Sequence, residues 1–115
     1  MEKQYYEYKK VLTETLTALG FAAQPEDTKG LGRSIDFVKD GFQLSLIFDL
    51  RDQMLFLQAR KDGKSAGHAT ISSRDSTKDF EKKLNEILAP QGMQVEIPAV
   101  VAKSGGLLSK LFGKK

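Results

Sequence analysis

The stretch "SIDFVKDGFQLSLIFDLRDQMLFLQARKDGKSAGHATISS", residues 34–73, decides the fold. It divides into four short runs, "SIDFV" (34–38), "FQLSLIFDL" (42–50), "MLFLQAR" (54–60) and "SAGHATISS" (65–73), three of them rich in aromatic and branched residues and all of strand length. Asp40-Gly41 joins the first pair and Asp62-Gly63 the last. Each is a type I′ hairpin signal, because both central residues need a positive φ that Asp followed by Gly tolerates well. With "DLRDQM" as the intervening turn, the stretch predicts a four-stranded antiparallel meander.

Alternation assigns the faces of that sheet. Phe42, Leu44, Leu46, Phe48 and Leu50 share one side of the second strand, and Gln43, Ser45, Ile47 and Asp49 share the other. The second strand is therefore expected to be central and packed against helices. Phe37, Phe42, Phe48 and Phe56 are all expected in the core.

Helices flank the meander. From Glu2 to Leu19, Tyr5, Tyr8, Val11, Leu12, Leu16 and Leu19 recur at steps of three and four, the one-face pattern of an amphipathic helix. Gly20 supplies a left-handed cap, with Phe21 placed to fold back on the last turn. "PEDTKGLG" then reads as a loop. After the strands, Ser76 and Asp79 form a capping box with Asp in the place of the usual Glu. Phe80, Leu84, Ile87 and Leu88 line one face of the helix that follows, and Pro90 ends it. Met93, Val95 and Ile97 alternate before Pro98 and predict a fifth, edge strand. The fold class is α+β: an N-terminal helix, the meander, a second helix and a short tail. The expected organisation is one domain over 1–98, a flexible linker over 99–106 and a basic amphipathic tail over 107–115.

Composition limits the functions this chain can carry. It has no cysteine, which excludes thiolate metal sites, disulfides and cysteine nucleophiles. "MEKQYYEYKK" lacks the apolar region of an export signal, and "LIF" and "IPAVVA" are far too short to span a bilayer, so a cytoplasmic location is expected. The net charge of +3 is unevenly placed. Residues 1–102 carry 14 Lys and Arg against 15 Asp and Glu, whereas Lys103, Lys110, Lys114 and Lys115 stand in the last thirteen residues with no acid. A nucleic-acid reader carries its basic stripe on the folded body, so nucleic acid is not an expected partner.

Catalytic constellations are equally thin. His68 is the only histidine, and a hydrolytic metal site or a Ser-His-Asp arrangement would have to be built around it with a distant carboxylate. "KGLGRS" offers Gly30, Gly32 and Arg33 to a phosphate, yet lies between a helix and a strand, the wrong context for a phosphate loop. Asp49 and Asp52 flank a turn, where acids satisfy backbone N–H groups more readily than cations. No cofactor, metal or catalytic residue is expected. Tyr6 points away from the predicted core face of the first helix and is a candidate contact residue.

The tail "GGLLSKLFGKK", residues 105–115, carries the other candidates. In a helical conformation Leu107, Leu108, Leu111 and Phe112 gather on one side, with Lys110, Lys114 and Lys115 supplying positive charge. Burying four such side chains halfway is worth ~3 to 5 kcal/mol, and each lysine adds up to ~1 kcal/mol near an anionic leaflet. Ordering the backbone costs about 1 kcal/mol per residue. A single tail therefore binds lipid weakly, and a groove on a protein partner or self-association suits it better.

Residues 11–59, "VLTETLTALGFAAQPEDTKGLGRSIDFVKDGFQLSLIFDLRDQMLFLQA", loosely resemble the opening of class I type III secretion chaperones: a helix ending in Leu-Gly, a polar loop and three meandering strands. The resemblance covers under half of the chain and implies a dimeric protein-binding module. Those chaperones are often acidic and continue with a central helix and further strands. Here the fourth strand leads directly to the second helix, and the tail is basic. The reading that follows is a small, non-enzymatic protein-binding or adaptor module acting through its sheet surface or its tail. Its alternatives are peripheral attachment to the inner membrane face through the tail, a secretion-chaperone-like dimer, and an enzyme built on His68.

Overall fold

In a computed structural model, residues 2–28 and 30–97 are described. The elements run α1 (Glu2–Ala18), β1 (Ala22–Ala23), β2 (Gly32–Lys39), β3 (Phe42–Asp49), β4 (Met54–Lys61), β5 (Lys64–Ile71) and α2 (Thr77–Leu88), followed by a 3-10 turn, Ala89–Gln91. The sheet is antiparallel throughout, in the order β1-β2-β3-β4-β5. Both Asp-Gly turns have the expected backbone, with φ of 49° and 83° at Asp40 and Gly41 and of 53° and 84° at Asp62 and Gly63.

Local sequence terminates each helix. The Phe21 N–H donates to the Leu16 carbonyl and the Gly20 N–H to that of Thr17, at 2.9 and 3.0 Å, which satisfies the last turn of α1. At the start of α2 the Ser76 hydroxyl accepts from the Asp79 N–H at 3.1 Å, while the Asp79 carboxylate accepts from the Ser76 N–H at 2.9 Å. The Ser76 backbone N–H first, and its hydroxyl second, hold the Asp79 carboxyl below the usual carboxylate range.

Both helices lie on one face of the sheet. Tyr5, Tyr8, Leu12 and Leu16 of α1 and Phe80, Leu84, Ile87 and Leu88 of α2 are buried with Ile35, Phe37, Phe42, Leu44, Leu46, Phe48, Leu55, Leu57, Ala59 and Ile71 of the strands. The Tyr8 and Phe80 rings stack at 3.9 Å and tie the two helices together. Gly67, at φ 140°, brings β5 close under α2: a Cβ built there would lie 3.5 Å from Ile87 Cγ1.

Three expectations are corrected. The fifth strand is Ala22–Ala23, paired with Val38 and Phe37, and not the stretch through Met93, Val95 and Ile97. Val95 and Ile97 are buried, as alternation implied, but their backbone is satisfied by α2 side chains. Asn85 donates to the Val95 carbonyl and accepts its N–H, and Glu81 accepts the Ile97 N–H at 2.7 Å. Phe56 leaves the core: Leu55, Leu57 and Ala59 face inward along β4, so Phe56 necessarily points to the opposite side. Leu50 also leaves the core face, because β3 ends at Asp49 and Leu50 sits in the turn with its N–H bonded to the Leu31 carbonyl.

Candidate protein-binding surface

With both helices on one side, the second face of the sheet has no covering element among the described residues. Strand pairing arranges its side chains in cross-strand rows. One row runs Asp36, Ser45, Gln58, His68, and the next runs Ser34, Ile47, Phe56, Thr70. Asp49 and Met54 pair beyond them. In the first row the Ser45 hydroxyl donates to Asp36 Oδ1 at 2.6 Å and accepts from Gln43 Nε2 at 3.3 Å.

The centre of this face is apolar. Ile47 and Phe56 are directly opposed on the two neighbouring strands β3 and β4 and are only half buried. Leu31, 61% exposed, and Met54, 42% exposed, extend the patch at one end, with Leu50 at its rim. There a shallow hollow of about 300 Å³ opens between Leu31, Ser34, Ile47, Asp49, Arg51 and Phe56. Large side chains in contact with one another and with water mark a docking surface more often than scattered single residues do.

The sheet's edges are guarded where its face is not. Lys83 donates to the Thr70 carbonyl at 2.7 Å and so occupies an outward acceptor of β5. A register shift between Ala59 and Arg60 further disrupts that edge. On the other side the chain from Ala22 covers β2, through the Gln24 N–H on the Asp36 carbonyl and an Asp27–Ser34 bridge. A lysine at the edge and a bulge discourage strand addition, which leaves the face as the more accessible part of the sheet.

Of the residues singled out from sequence, His68 and Asp49 stand on this face and Tyr6 does not. Tyr6 is 42% exposed on α1, the helix that packs on the other side of the sheet, and its hydroxyl accepts from Arg33 Nε at 2.7 Å. Arg33 also pairs with Glu2 at 2.9 Å, and Lys9 lies 5.5 Å from the Tyr6 ring centre. Beside them the buried Tyr5 hydroxyl donates to Glu26 at 2.8 Å; burial first, then this bond to a carboxylate, push its pKa well up. Tyr6 thus belongs to a network that fastens α1 to the start of β2. His68 is exposed on the open face beside Gln58. Asp49 Oδ1 accepts the N–H groups of Arg51 and Asp52 at 3.0 and 3.2 Å, the local backbone role expected of an acid at a turn. Among the described residues no group of three or more His, Asp or Glu converges as metal ligands would.

Leu107, Leu108, Lys110, Leu111, Phe112, Lys114 and Lys115 lie outside the described residues. No described helix is long and apolar enough to cross a membrane. Ile47, Phe56, Leu31 and Met54 were not singled out from sequence as contact residues. The signal for them was two large apolar side chains standing at matched positions on strand sides that otherwise read as polar. Comparison with protein-family models, with curated proteins and with solved structures finds no match.

Proposed function

We propose that this chain is a non-enzymatic protein-binding module whose contact surface is the open face of its sheet. The observation carrying this reading is the opposed pair Ile47 and Phe56, partly exposed at the centre of a face that both helices leave bare. The rows beside the pair offer hydroxyl, amide, carboxylate and imidazole groups for a partner to satisfy. That is the anatomy of an apolar centre with a polar rim. The basic segment from Leu107 to Lys115 supplies a second contact in this reading, by its sequence pattern alone.

A photoreactive residue placed at Thr70, exposed on the open face, should form protein adducts in an extract of the source cells, and Phe56→Lys should remove them. The same probe at Lys82, exposed on α2, should not form them. Equal labelling from the two positions, or none from Thr70, would overturn the reading. Attachment to a lipid surface instead would show as sedimentation with anionic vesicles that is lost at high salt and on Lys110→Glu with Leu111→Glu.

A further inference from the structure

The open face is matched to itself. We infer that its occupant is a second copy of this chain, docked face to face about a two-fold axis that runs along the strands between β3 and β4. This deepens the protein-binding reading and rests on it.

The argument starts from the placement of charge. On the β2 and β3 half of the face the charged side chains of the strands are Asp36 and Asp49, both acids, with Arg51 in the turn beyond β3 at the rim. On the β4 and β5 half stand Arg60 and His68, both bases. Two sheets stacked face to face are related by an axis lying in the plane between them. An axis across the strands would lay each strand on its own copy, acid half on acid half. An axis along the strands exchanges the halves, so β2 meets the partner's β5 and β3 meets the partner's β4. Like charges brought into opposition are unfavourable, so the charge distribution selects the second arrangement.

Register then fixes who meets whom, because an axis along the strands preserves position along them. In the row Asp36, Ser45, Gln58, His68, the carboxylate of one copy faces the imidazole of the other, and hydroxyl faces amide. In the next row Ile47 faces Phe56 twice, around the axis, and closes the apolar centre. Twisted sheets pack about 30° apart, which displaces the outer positions by a few ångström, within the reach of these side chains. The guarded edges favour this mode over strand addition.

Area sets the strength. Four strands at about 4.8 Å spacing and eight residues at about 3.3 Å give a face of roughly 500 Å² per copy, below the ~800 Å² of a standard interface. The dimer is therefore expected to be reversible and concentration-dependent.

Sedimentation equilibrium of the full chain should show its mass rising with concentration from 12.8 kDa towards twice that value. Phe56→Lys should hold it at the monomer. Asp36→Lys and His68→Glu should each weaken association by about 10-fold, and the two together in one chain should restore it to within about 3-fold. Asp36 and His68 of one chain lie three strand spacings apart, roughly 14 Å, so that rescue comes from the second copy. Since the chain has no cysteine, Asp36→Cys with His68→Cys gives a milder test that leaves the face otherwise intact. Cβ atoms of opposed residues in stacked sheets approach to about 7 Å, so a bifunctional thiol reagent of that span should yield covalent dimers. Val38→Cys with Thr70→Cys, which are not opposed, should yield none. A full chain that stays monomeric at every concentration overturns the proposal. So does a dimer that Phe56→Lys leaves intact, or bridging by the Val38 and Thr70 pair alone. A monomer whose Phe112 shows nuclear Overhauser contacts to Phe56 would assign the face to the tail and overturn it as well. Adducts to another protein from Thr70 on a strictly monomeric chain would overturn the dimer and leave the binding-module reading standing.

Discussion

The Asn85 side chain holds Val95 by both of its backbone groups, Nδ2 donating to the carbonyl at 3.0 Å and Oδ1 accepting the N–H at 2.9 Å. An asparagine on a helix has here taken the part of a neighbouring strand. It lets residues 93–97 bury Val95 and Ile97 without a ladder of their own.

Asn85→Leu removes both bonds and leaves a nearly buried donor and acceptor unsatisfied. At about 1 to 3 kcal/mol for each stranded group, the loss should come to roughly 2 to 6 kcal/mol. Asn85→Asp keeps the acceptor and should cost less. Urea unfolding of the three proteins checks the order.

Acid should weaken the fold through α2. The Ile97 N–H, bonded to the Glu81 carboxylate, holds its pKa below the ordinary glutamate range, as the Ser76 cap does for Asp79. A lowered folded-state pKa means that the unfolded chain binds the proton first. The stabilisation is therefore complete above the unfolded pKa and is lost as pH falls through the folded one. Glu81→Gln keeps an acceptor oxygen but no charge, so it should lower the melting temperature near neutral pH and flatten its decline on acidification. An unchanged slope would count against the assignment.

Gly67→Ala tests backbone rather than space. The added Cβ meets Ile87 at an ordinary contact distance, but φ of 140° is a region that side-chain-bearing residues rarely enter. About 1 to 3 kcal/mol of destabilisation is expected. Adding Ile87→Val should not restore it, whereas a steric clash would be relieved.

The two sides of the sheet should respond differently to truncation. Leu57, fully buried, should cost about 2 to 5 kcal/mol as Leu57→Ala. Ile47→Thr on the open face should cost about 1 kcal/mol or less for the isolated chain. Denaturant midpoints measured at low concentration, where association is absent, make the comparison.

What the sequence made legible was what local chemistry dictates. The Asp-Gly turns, the Gly20 cap and the Ser76–Asp79 box each depend on a few adjacent residues, and all stand as expected. Phe56 was misplaced because being aromatic outweighed its parity with Leu55 and Leu57. The segment through Met93 and Val95 alternates like a strand, and nothing nearby reveals that Asn85, ten residues earlier, satisfies its backbone. The open face is less legible still. It exists because α1 and α2 chose the same side, a tertiary fact, and its charge halves appear only when four strands are set in register.

The order of the sheet, in which each long strand pairs with its neighbour in sequence, also bears on how the chain reaches this state. Hairpins closed by two-residue turns form quickly, because little loop entropy is lost in closing them. The Tyr8–Phe80 stack joins segments more than seventy residues apart and gains nothing until the strands between them are ordered. It belongs on the late side of the folding barrier. Phe80→Leu should therefore speed unfolding while leaving the folding rate nearly as it was, so that the two stacked rings act on the lifetime of the folded protein more than on its formation.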